Sequence, residues 1–380
     1  MWLQFIELNQ FRNYKSLSLE LDGARQIALV GFNAQGKSNF LESLYLLAFA
    51  SSFRTAALTE IVQWGATIAT VEGYFGYKHN VPLSLKFGIY KNGKRQAIVN
   101  QEHQKRLSNY IGYIKLVCFT PKDLLMLTGQ PSDRRQFIDL LLTQSYPRYY
   151  SLLQNYQRLI KQRNALLKNL KKRTGSQPAQ ELDELDSWDA QLSQLGAQII
   201  KRRQLVLADL SRLLHGTHAS VSLMAEKIDL IYRSNLSEDI SQMGLSDLEQ
   251  SLAKQLKSKK TSDILHGYTS VGPHRDDLSF VLNGHELKFF GSQGQIRTVA
   301  LALKIAEMKY LSDLFNEPPI LLLDDVFSEL DIKRQQALIE HIQQPGIQTF
   351  LTTTHLEGPV QRFFNQNSKI LHVSGGNIFQ

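Results

Sequence analysis

The octapeptide Gly31-Phe32-Asn33-Ala34-Gln35-Gly36-Lys37-Ser38 limits what this chain can fold into more than any other stretch. It fits G-x-x-x-x-G-K-[ST], the phosphate-binding P-loop. An apolar β-type run (residues 26–30) precedes it and an amphipathic run (residues 39–50) follows, which is the strand–loop–helix setting the pattern requires. Gly31 and Gly36 let the backbone turn tightly and approach phosphate oxygens. Successive backbone N–H groups then form an anion nest at the positive end of the helix starting near Lys37. Lys37 supplies a point charge between β- and γ-phosphates, and the Ser38 hydroxyl suits Mg²⁺, which prefers oxygen ligands. The octapeptide therefore calls for an α/β fold that holds a nucleoside triphosphate.

The second half of such a site is written near the other end of the chain. Ile320-Leu321-Leu322-Leu323-Asp324-Asp325 is a fully apolar run ending in two carboxylates, the pattern of a buried central strand in a parallel sheet. Open α/β sheets place ligands at that strand end. Asp324 suits the Mg²⁺ position, through water, opposite Ser38. Asp325, one residue on, projects differently and is the candidate to orient or deprotonate the attacking water. Ser328-Glu329-Leu330-Asp331 follows, and a β-branched strand over residues 349–353 leads to His355, which is placed to sense a γ-phosphate but by itself more often reads as an ordinary loop histidine. Gly291-Ser292-Gln293-Gly294-Gln295 stands directly before another amphipathic run. Ser292 can N-cap that helix and Gly294 keeps its first turn open, so Ser292, Gly294 and Gln295 suit either a second anion-binding helix N-terminus or plain helix capping.

Between these halves the chain changes character. Residues 2–30 and 71–99 read as strands, with Asn92-Gly93 a hairpin turn and Cys118 a buried strand residue. Ser132 or Asp133 can cap a helix carrying Arg134 and Arg135. From about Tyr149 to Leu214 the apolar spacing is helical. Leu185, Trp188, Leu192, Leu195 and Ile199 form a heptad-like seam after a break at Gly175-Ser176-Gln177-Pro178. Two long helices joined by a polar loop would make an arm rich in cations: Arg158, Lys161, Arg163, Lys168, Lys171, Lys172, Arg173, Lys201, Arg202, Arg203 and Arg212. They suit either a solvated face or a phosphate-contacting stripe. A further helix is expected over 245–257, ended by Lys257-Ser258-Lys259-Lys260. Extended segments are then expected over 268–271, 278–282 and 286–289. The division is 1–120 and 266–380 for the two parts of an ATPase head, and 121–265 for the inserted arm. A net charge of +8 suits either an anionic partner, nucleic acid first, or a solvated basic surface. The single cysteine excludes an intrachain disulfide and fits a reducing compartment. With no signal peptide or membrane-length apolar run in view, a soluble cytoplasmic protein is expected.

Together these residues resemble an ABC-type ATPase head and, more closely, the RecF family of bacterial recombination mediators related to the SMC-like ATPases. The closer resemblance rests on Phe11-Arg12-Asn13-Tyr14, Gly129-x-Pro131 with Arg134-Arg135, Val271-Gly272-Pro273-His274-Arg275-Asp276-Asp277, and the run from Leu323 to Asp331. It extends essentially end to end, and the short arm argues against true SMC proteins. The resemblance implies ATP and Mg²⁺ as cofactors and an ATP-dependent homodimer. Gly31 to Ser38 of one copy would face Ser292, Gly294 and Gln295 of the other, with Asp331 beside them. It implies Lys37, Asp325 and His355 as catalytic groups and a clamp on double-stranded DNA at single-strand gap junctions. It also implies cooperation with RecR and RecO in loading RecA and inducing the SOS response, with slow DNA-dependent hydrolysis releasing the clamp. Asp325 stands where many ABC ATPases have glutamate, Gln293 replaces the first signature glycine, and residues 119–123 are the expected place of the Q-loop. A membrane-transporter ATPase subunit and a small-molecule P-loop kinase are the competing readings. The basic arm disfavours the first, and the kinase would need neither the arm nor Ser292-x-Gly294-Gln295.

Overall fold

A computed structural model describes residues 1–77, 82–172, 179–222, 226–364 and 368–379. The chain opens with β1 (Trp2–Phe11), β2 (Tyr14–Glu20), β3 (Gln26–Val30) and helix α1 (Lys37–Phe49). Next come β4 (Ile68–Gly76), β5 (Leu83–Tyr90), β6 (Arg95–Val99), β7 (Glu102–His103) and β8 (Leu116–Phe119). A helical stretch follows, with α2 (Asp123–Thr128), α3 (Pro131–Ser145), α4 (Tyr149–Lys171) and α5 (Ala179–Val221), then β9 (Ile228–Arg233) and α6 (Leu245–His266). β10 (Asp277–Leu282), β11 (His285–Glu286) and the short α7 (Leu287–Phe290) lead into α8 (Gln293–Phe315). The last part alternates β12 (Ile320–Asp324), α9 (Ile332–Ile342), β13 (Thr349–Thr353), α10 (Gly358–Phe363), β14 (Lys369–Ser374) and β15 (Asn377–Phe379).

The chain forms two compact units. The first, an α/β head, comprises Met1–Leu124, Leu213–Glu226 and Ser292–Gln380. It holds an antiparallel sheet in the order β2-β1-β4-β5-β6-β7 and a second sheet in the order β15-β14-β3-β13-β12-β8. In the second sheet β14, β3, β13, β12 and β8 run parallel, and β15 pairs antiparallel with β14. Every residue of β12 and β8 is buried, as continuous apolar strands covered on both faces must be. β2 instead alternates, burying Tyr14, Leu17 and Leu19. Helix α1 packs against strands of both sheets. Its sequence reads as amphipathic, yet it is buried almost all round because it has a sheet on either side. The fully buried Gln348 side chain accepts from Leu3 N at 2.7 Å and donates to Leu3 O and Ala24 O, each at 2.9 Å. One amide thus joins the start of the antiparallel sheet to the chain entering the parallel one. Cys118 is buried in β8, and burial pushes its thiol pKa up.

The second unit comprises Leu125–Arg212 and Lys227–Gly291. It holds the three-stranded sheet β11-β10-β9, and its helices α4 and α6 pack on each other. Leu166, Leu167 and Leu170 of α4 meet Leu185 of α5, with Trp188 and Ile264 against them, so the expected seam is core. Residues 173–178, with Arg173 and the expected break at Gly175 to Pro178, lie outside the described residues. This division differs from the segments 1–120, 121–265 and 266–380. Residues 266–291 fall with the arm because β10 hydrogen-bonds to β9 along its whole length. Residues 213–226 fall with the head, where Thr217 Oγ1 donates to the α8 carbonyl of Ala302 at 2.8 Å.

Several local expectations change. α3 takes Gln130 rather than Ser132 or Asp133 as N-cap, with Pro131 in the first turn and the Asp133 carboxylate accepting from Gln130 N. α6 runs through the basic tract to His266, and Lys260 pairs with Asp186 at 2.5 Å. Residues 268–271 are irregular, and the strand expected over 286–289 stops at Glu286 and turns into α7. The arm cations also divide. Arg163 is fully buried, donating to Asp189 at 2.6 Å, Asp263 at 2.7 Å and Thr269 Oγ1 at 3.0 Å. Arg203 is buried, donating to both oxygens of Asp139 and to Pro273 O. Neither belongs to a solvated or phosphate-facing stripe, because a guanidinium buried to this degree is kept only where carboxylates and carbonyls use its donors. Arg202 lies over the Tyr146 ring at 4.7 Å.

Candidate nucleotide-binding site

The loop of residues 31–36 leaves β3, the strand flanked by β13 and β14, and enters α1. Its two motif glycines are required for different reasons. A Cβ on Gly31 would meet Val373 O of β14 at 2.3 Å, so this glycine permits close strand packing. Gly36 has φ +119°, and a Cβ there would meet the Asn13 amide at 2.7 Å. The Asn13 amide donates to Gln35 O at 2.8 Å and Tyr14 Oη to Gly36 O at 3.0 Å. Gly376 N also reaches Gln35 O (3.1 Å), and Gly375 N reaches Gln35 Oε1 (2.7 Å). The loop is therefore held from outside by the β1–β2 and β14–β15 turns.

Asn33, Ala34, Gly36, Lys37 and Ser38 line a cavity of about 260 Å³ together with Asn39, Arg54, Asp325 and Thr352. The Ser38 hydroxyl donates to Asp324 Oδ1 at 2.7 Å, joining residues 286 positions apart. The same oxygen accepts from Thr352 Oγ1 at 2.9 Å, and Thr352 Oγ1 accepts from Asp325 N at 2.8 Å. Thr352 thus ties the ends of β12 and β13 together, and Asp325 turns into the cavity with a left-handed φ of 53°. Lys37 Nζ donates to Gly31 O at 2.5 Å and Phe32 O at 2.9 Å. Burial lowers its pKa, and Asp325 and Asp324 work in the opposite direction. The Ser38 hydroxyl and the Asp324 carboxylate form an oxygen pair of the kind Mg²⁺ takes, with most of its shell left to phosphate and water. No group of three or more His, Cys, Asp or Glu that could hold a metal occurs among the described residues.

Other expected site residues lie outside this cavity. Gly31, Phe32 and Gln35 shape the loop without lining it, and the Phe32 ring is exposed. His355 follows β13 and is exposed, its backbone tied to Thr353 Oγ1. Residues 119–121 border a separate narrow pocket with Leu124, Arg297, Val326, Glu329 and Leu330.

Ser292, Gly294, Gln295 and Asp331 form a second cluster. Ser292 caps α8 by accepting from Gln295 N at 3.2 Å, and the Gln295 side chain accepts from Ser292 N at 2.8 Å. Gln295 Nε2 donates onward to Glu226 at 2.8 Å. Asp331 caps α9 by accepting from Arg334 N at 3.0 Å, and Arg334 reaches back to Gly294 O at 3.1 Å and Thr298 Oγ1 at 2.9 Å. Asp331 is thereby coupled to the first turn of α8 through one guanidinium.

Asn13, Arg54 and Thr352 were not among the expected ligands. Asn13 lay in plain view in Phe11-Arg12-Asn13-Tyr14, while Thr352 read only as a strand residue. For Arg54 the sequence carries no signal. It reaches the cavity because Asn39 and the buried Glu42 hold it there, Glu42 also taking Arg12 through two bonds at 2.7 and 2.9 Å.

The described geometry can be set beside known proteins. Residues 2–378 match the RecF/RecN/SMC N-terminal domain family. A Bacillus cereus protein called DNA replication and repair protein RecF is 38% identical over 379 residues, 100% of this chain and 98% of its own. A Bacillus anthracis protein of the same name is equally similar. The solved structure of the recombination mediator protein RecF with ATP, in the RecFOR pathway, superposes with a TM-score of 0.88 at 30% identity, over 100% of this chain and 97% of that one. An Smc head bound to the C-terminal winged-helix domain of ScpA shares the fold, with a TM-score of 0.55 at 16% identity over 98% of this chain and 94% of that one. With the ABC-type P-loop head, the inserted helical arm and these full-length matches in agreement, the chain belongs to the RecF family.

Proposed function

We propose that this protein is an ATP-dependent DNA-binding protein of recombinational repair and replication restart. The observation that carries the reading is the 2.7 Å hydrogen bond from Ser38 to Asp324, which makes the two distant motifs one site. Full-length relatives named for DNA replication and repair, and a neighbour solved with ATP, support the rest.

In this reading the loop amides and Lys37 bind the phosphates, Lys37 exchanging the carbonyls of Gly31 and Phe32 for phosphate oxygens. Arg54 adds a second cation at the cavity wall. Ser38, and Asp324 through water, would hold Mg²⁺, which when bound neutralises phosphate charge. Asp325 orients the attacking water and accepts its proton, held by Thr352 at its backbone N–H. Ser292, Gly294 and Gln295, with Asp331 behind them, present a helix N-terminus to nucleotide held by a second copy, and His355 contacts the γ-phosphate. The ATP-bound homodimer clamps double-stranded DNA at gap junctions and acts with RecR and RecO in RecA loading and SOS induction. Slow, DNA-dependent hydrolysis then releases the clamp in the cytoplasm. Among the described residues no helix is long and apolar enough to cross a membrane.

Sedimentation with and without ATP and a gapped duplex tests this directly. Self-association and DNA binding that both require ATP, and are both lost in Lys37→Ala, are expected. Dimerisation of Lys37→Ala in ATP equal to that of the parent would overturn it.

A further inference from the structure

Among the described residues the most exposed large apolar side chain is Trp64, at 96%. The other two tryptophans are covered. Trp2 has the Arg25 guanidinium 4.2 Å over its ring, and Trp188 packs on the Leu166–Leu185 cluster. An indole placed wholly in water is a group in search of a partner, because it has both a π-face and a large apolar surface to cover.

The turn that carries it is firmly built. Gln63 N bonds Gln10 O at 2.9 Å, and Val62 forms a bridge with Phe11. Ala66 N closes onto Gln63 O at 3.0 Å, with Gly65 at φ +84° supplying the left-handed third position of a type II turn. Lys91 N bonds Thr67 O at 2.9 Å on the far side. Trp64 is therefore held outward by a rigid base.

Cations from three other segments converge on the same loop. Arg12 Nη1 donates to Glu60 O at 3.2 Å, Lys91 Nζ to Thr59 O at 3.5 Å, and Lys122 Nζ to Arg54 O at 3.5 Å. Arg54 itself is exposed, and the β5–β6 turn alongside adds the exposed Lys94 and Arg95. The opposing anions are Glu42, buried under Arg12, and Glu60, bonded to Thr55 Oγ1. The Trp64 turn is flanked by polar and charged residues (Glu60, Gln63, Thr67, Lys91). An exposed aromatic face set in a cationic surround is the combination that binds single-stranded nucleic acid, by stacking on a base while charges follow the backbone.

We propose that Trp64 stacks on an unpaired base of the DNA, with Lys91, Lys94 and Arg95 at the β5–β6 turn facing its phosphates. The proposal rests on the DNA-binding reading above and adds where the unpaired strand is read. The turn is also joined to the nucleotide loop, since Arg12 pairs with Glu42 of α1 and the adjacent Asn13 holds Gln35 O.

The test compares the full-length protein with Trp64→Ala and Trp64→Phe, in ATP and Mg²⁺. Three probes are used: a gapped duplex, an oligo(dT) strand and an ungapped duplex of the same length. Anisotropy gives affinity, and indole fluorescence reports stacking. Trp64→Ala should weaken the gapped duplex and oligo(dT) by about 5- to 150-fold, the loss of one base–aromatic stack. It should leave the ungapped duplex and DNA-free ATP turnover unchanged. Trp64→Phe should recover most of the loss, and oligo(dT) should quench the parent's indole emission but not that of Trp64→Ala. Equal binding of all three probes by parent and Trp64→Ala overturns the proposal while leaving the DNA-binding reading intact. Loss of self-association in Trp64→Ala with DNA affinity unchanged assigns the indole to a protein contact and overturns it as well. A parent that binds none of the probes overturns both.

Discussion

Replacing Asp324 by asparagine separates the charge of the site from its shape. The carboxylate is nearly buried, and its Oδ1 accepts two hydroxyls, from Ser38 at 2.7 Å and Thr352 at 2.9 Å. Asparagine keeps an acceptor oxygen for both donors and is close to isosteric, so only the negative charge is removed. The weakening of two charge-assisted bonds is opposed by the lower cost of burying a neutral amide, and the stability change should stay under about 1 kcal/mol. The metal is affected differently. A carboxylate that holds Mg²⁺ through water acts on it from outside the first ligand set, and losing such a partner costs about 10–100-fold in metal affinity. That corresponds to about 1.4–2.8 kcal/mol. The assay is Mg²⁺ titration of a fluorescent ATP analogue against an EDTA baseline, with urea melts in parallel. Asp324→Asn should shift the Mg²⁺ midpoint upward by one to two decades and leave both the melt and the EDTA baseline in place. A Mg²⁺ midpoint equal to the parent's would refute the placement of the metal between Ser38 and Asp324.

Asp325→Asn should bind ATP as the parent does but turn it over at least 100-fold more slowly, within the range typical for a lost general base, and accumulate dimer on DNA; single-turnover kinetics reads this. Ser292→Arg should leave nucleotide affinity of the isolated copy unchanged and abolish ATP-dependent self-association, so calorimetry beside sedimentation separates the two properties. Arg163→Met strands the buried carboxylates of Asp189 and Asp263 and should destabilise the arm by about 3–5 kcal/mol, whereas the exposed Arg158→Ala should change stability by less than about 0.5 kcal/mol. Urea unfolding followed by CD checks both. His274 gives a pH dependence. Burial lowers its pKa to about 4, the hydrogen bond to Thr269 O works against the shift, and Arg275, Arg135 and Arg163 add to it. The unfolded chain, titrating near 6.5, then binds more protons than the folded one between about pH 4 and 6.5. Stability from this group is complete above that window and lost as pH falls through it, and His274→Gln should flatten that part of the stability–pH curve.

The head was legible in the sequence because its signals are local. An eight-residue loop, an apolar strand ending in aspartates and a capped helix each announce themselves within a dozen residues. What could not be read depends on partners distant in the chain. Residues 39–50 read as amphipathic, but a second sheet covers the face assigned to water. Arg163 and Arg203 read as surface cations because nothing near them in sequence foretells Asp263 or Asp139. The strand expected after Asn283-Gly284 was written into Leu287-Lys288-Phe289-Phe290, whose composition suits either state, and the short helix formed instead. Arg54 entered the cavity unannounced because its position is set by Asn39 and Glu42, not by its own neighbours.

The order of strands in the parallel sheet also has a consequence for biosynthesis. β3, which carries the P-loop, has β13 and β14 as its neighbours, and those strands begin at Thr349 and Lys369. At about 5–20 residues per second, about 15–65 seconds of translation separate the strand from the first of its partners. For that interval an apolar strand and a phosphate-binding loop exist without the sheet that shapes them. The nucleotide site is therefore complete only once β13 and β14 have been made. A product broken off before β13 carries the P-loop sequence without Thr352 and without either strand that flanks β3.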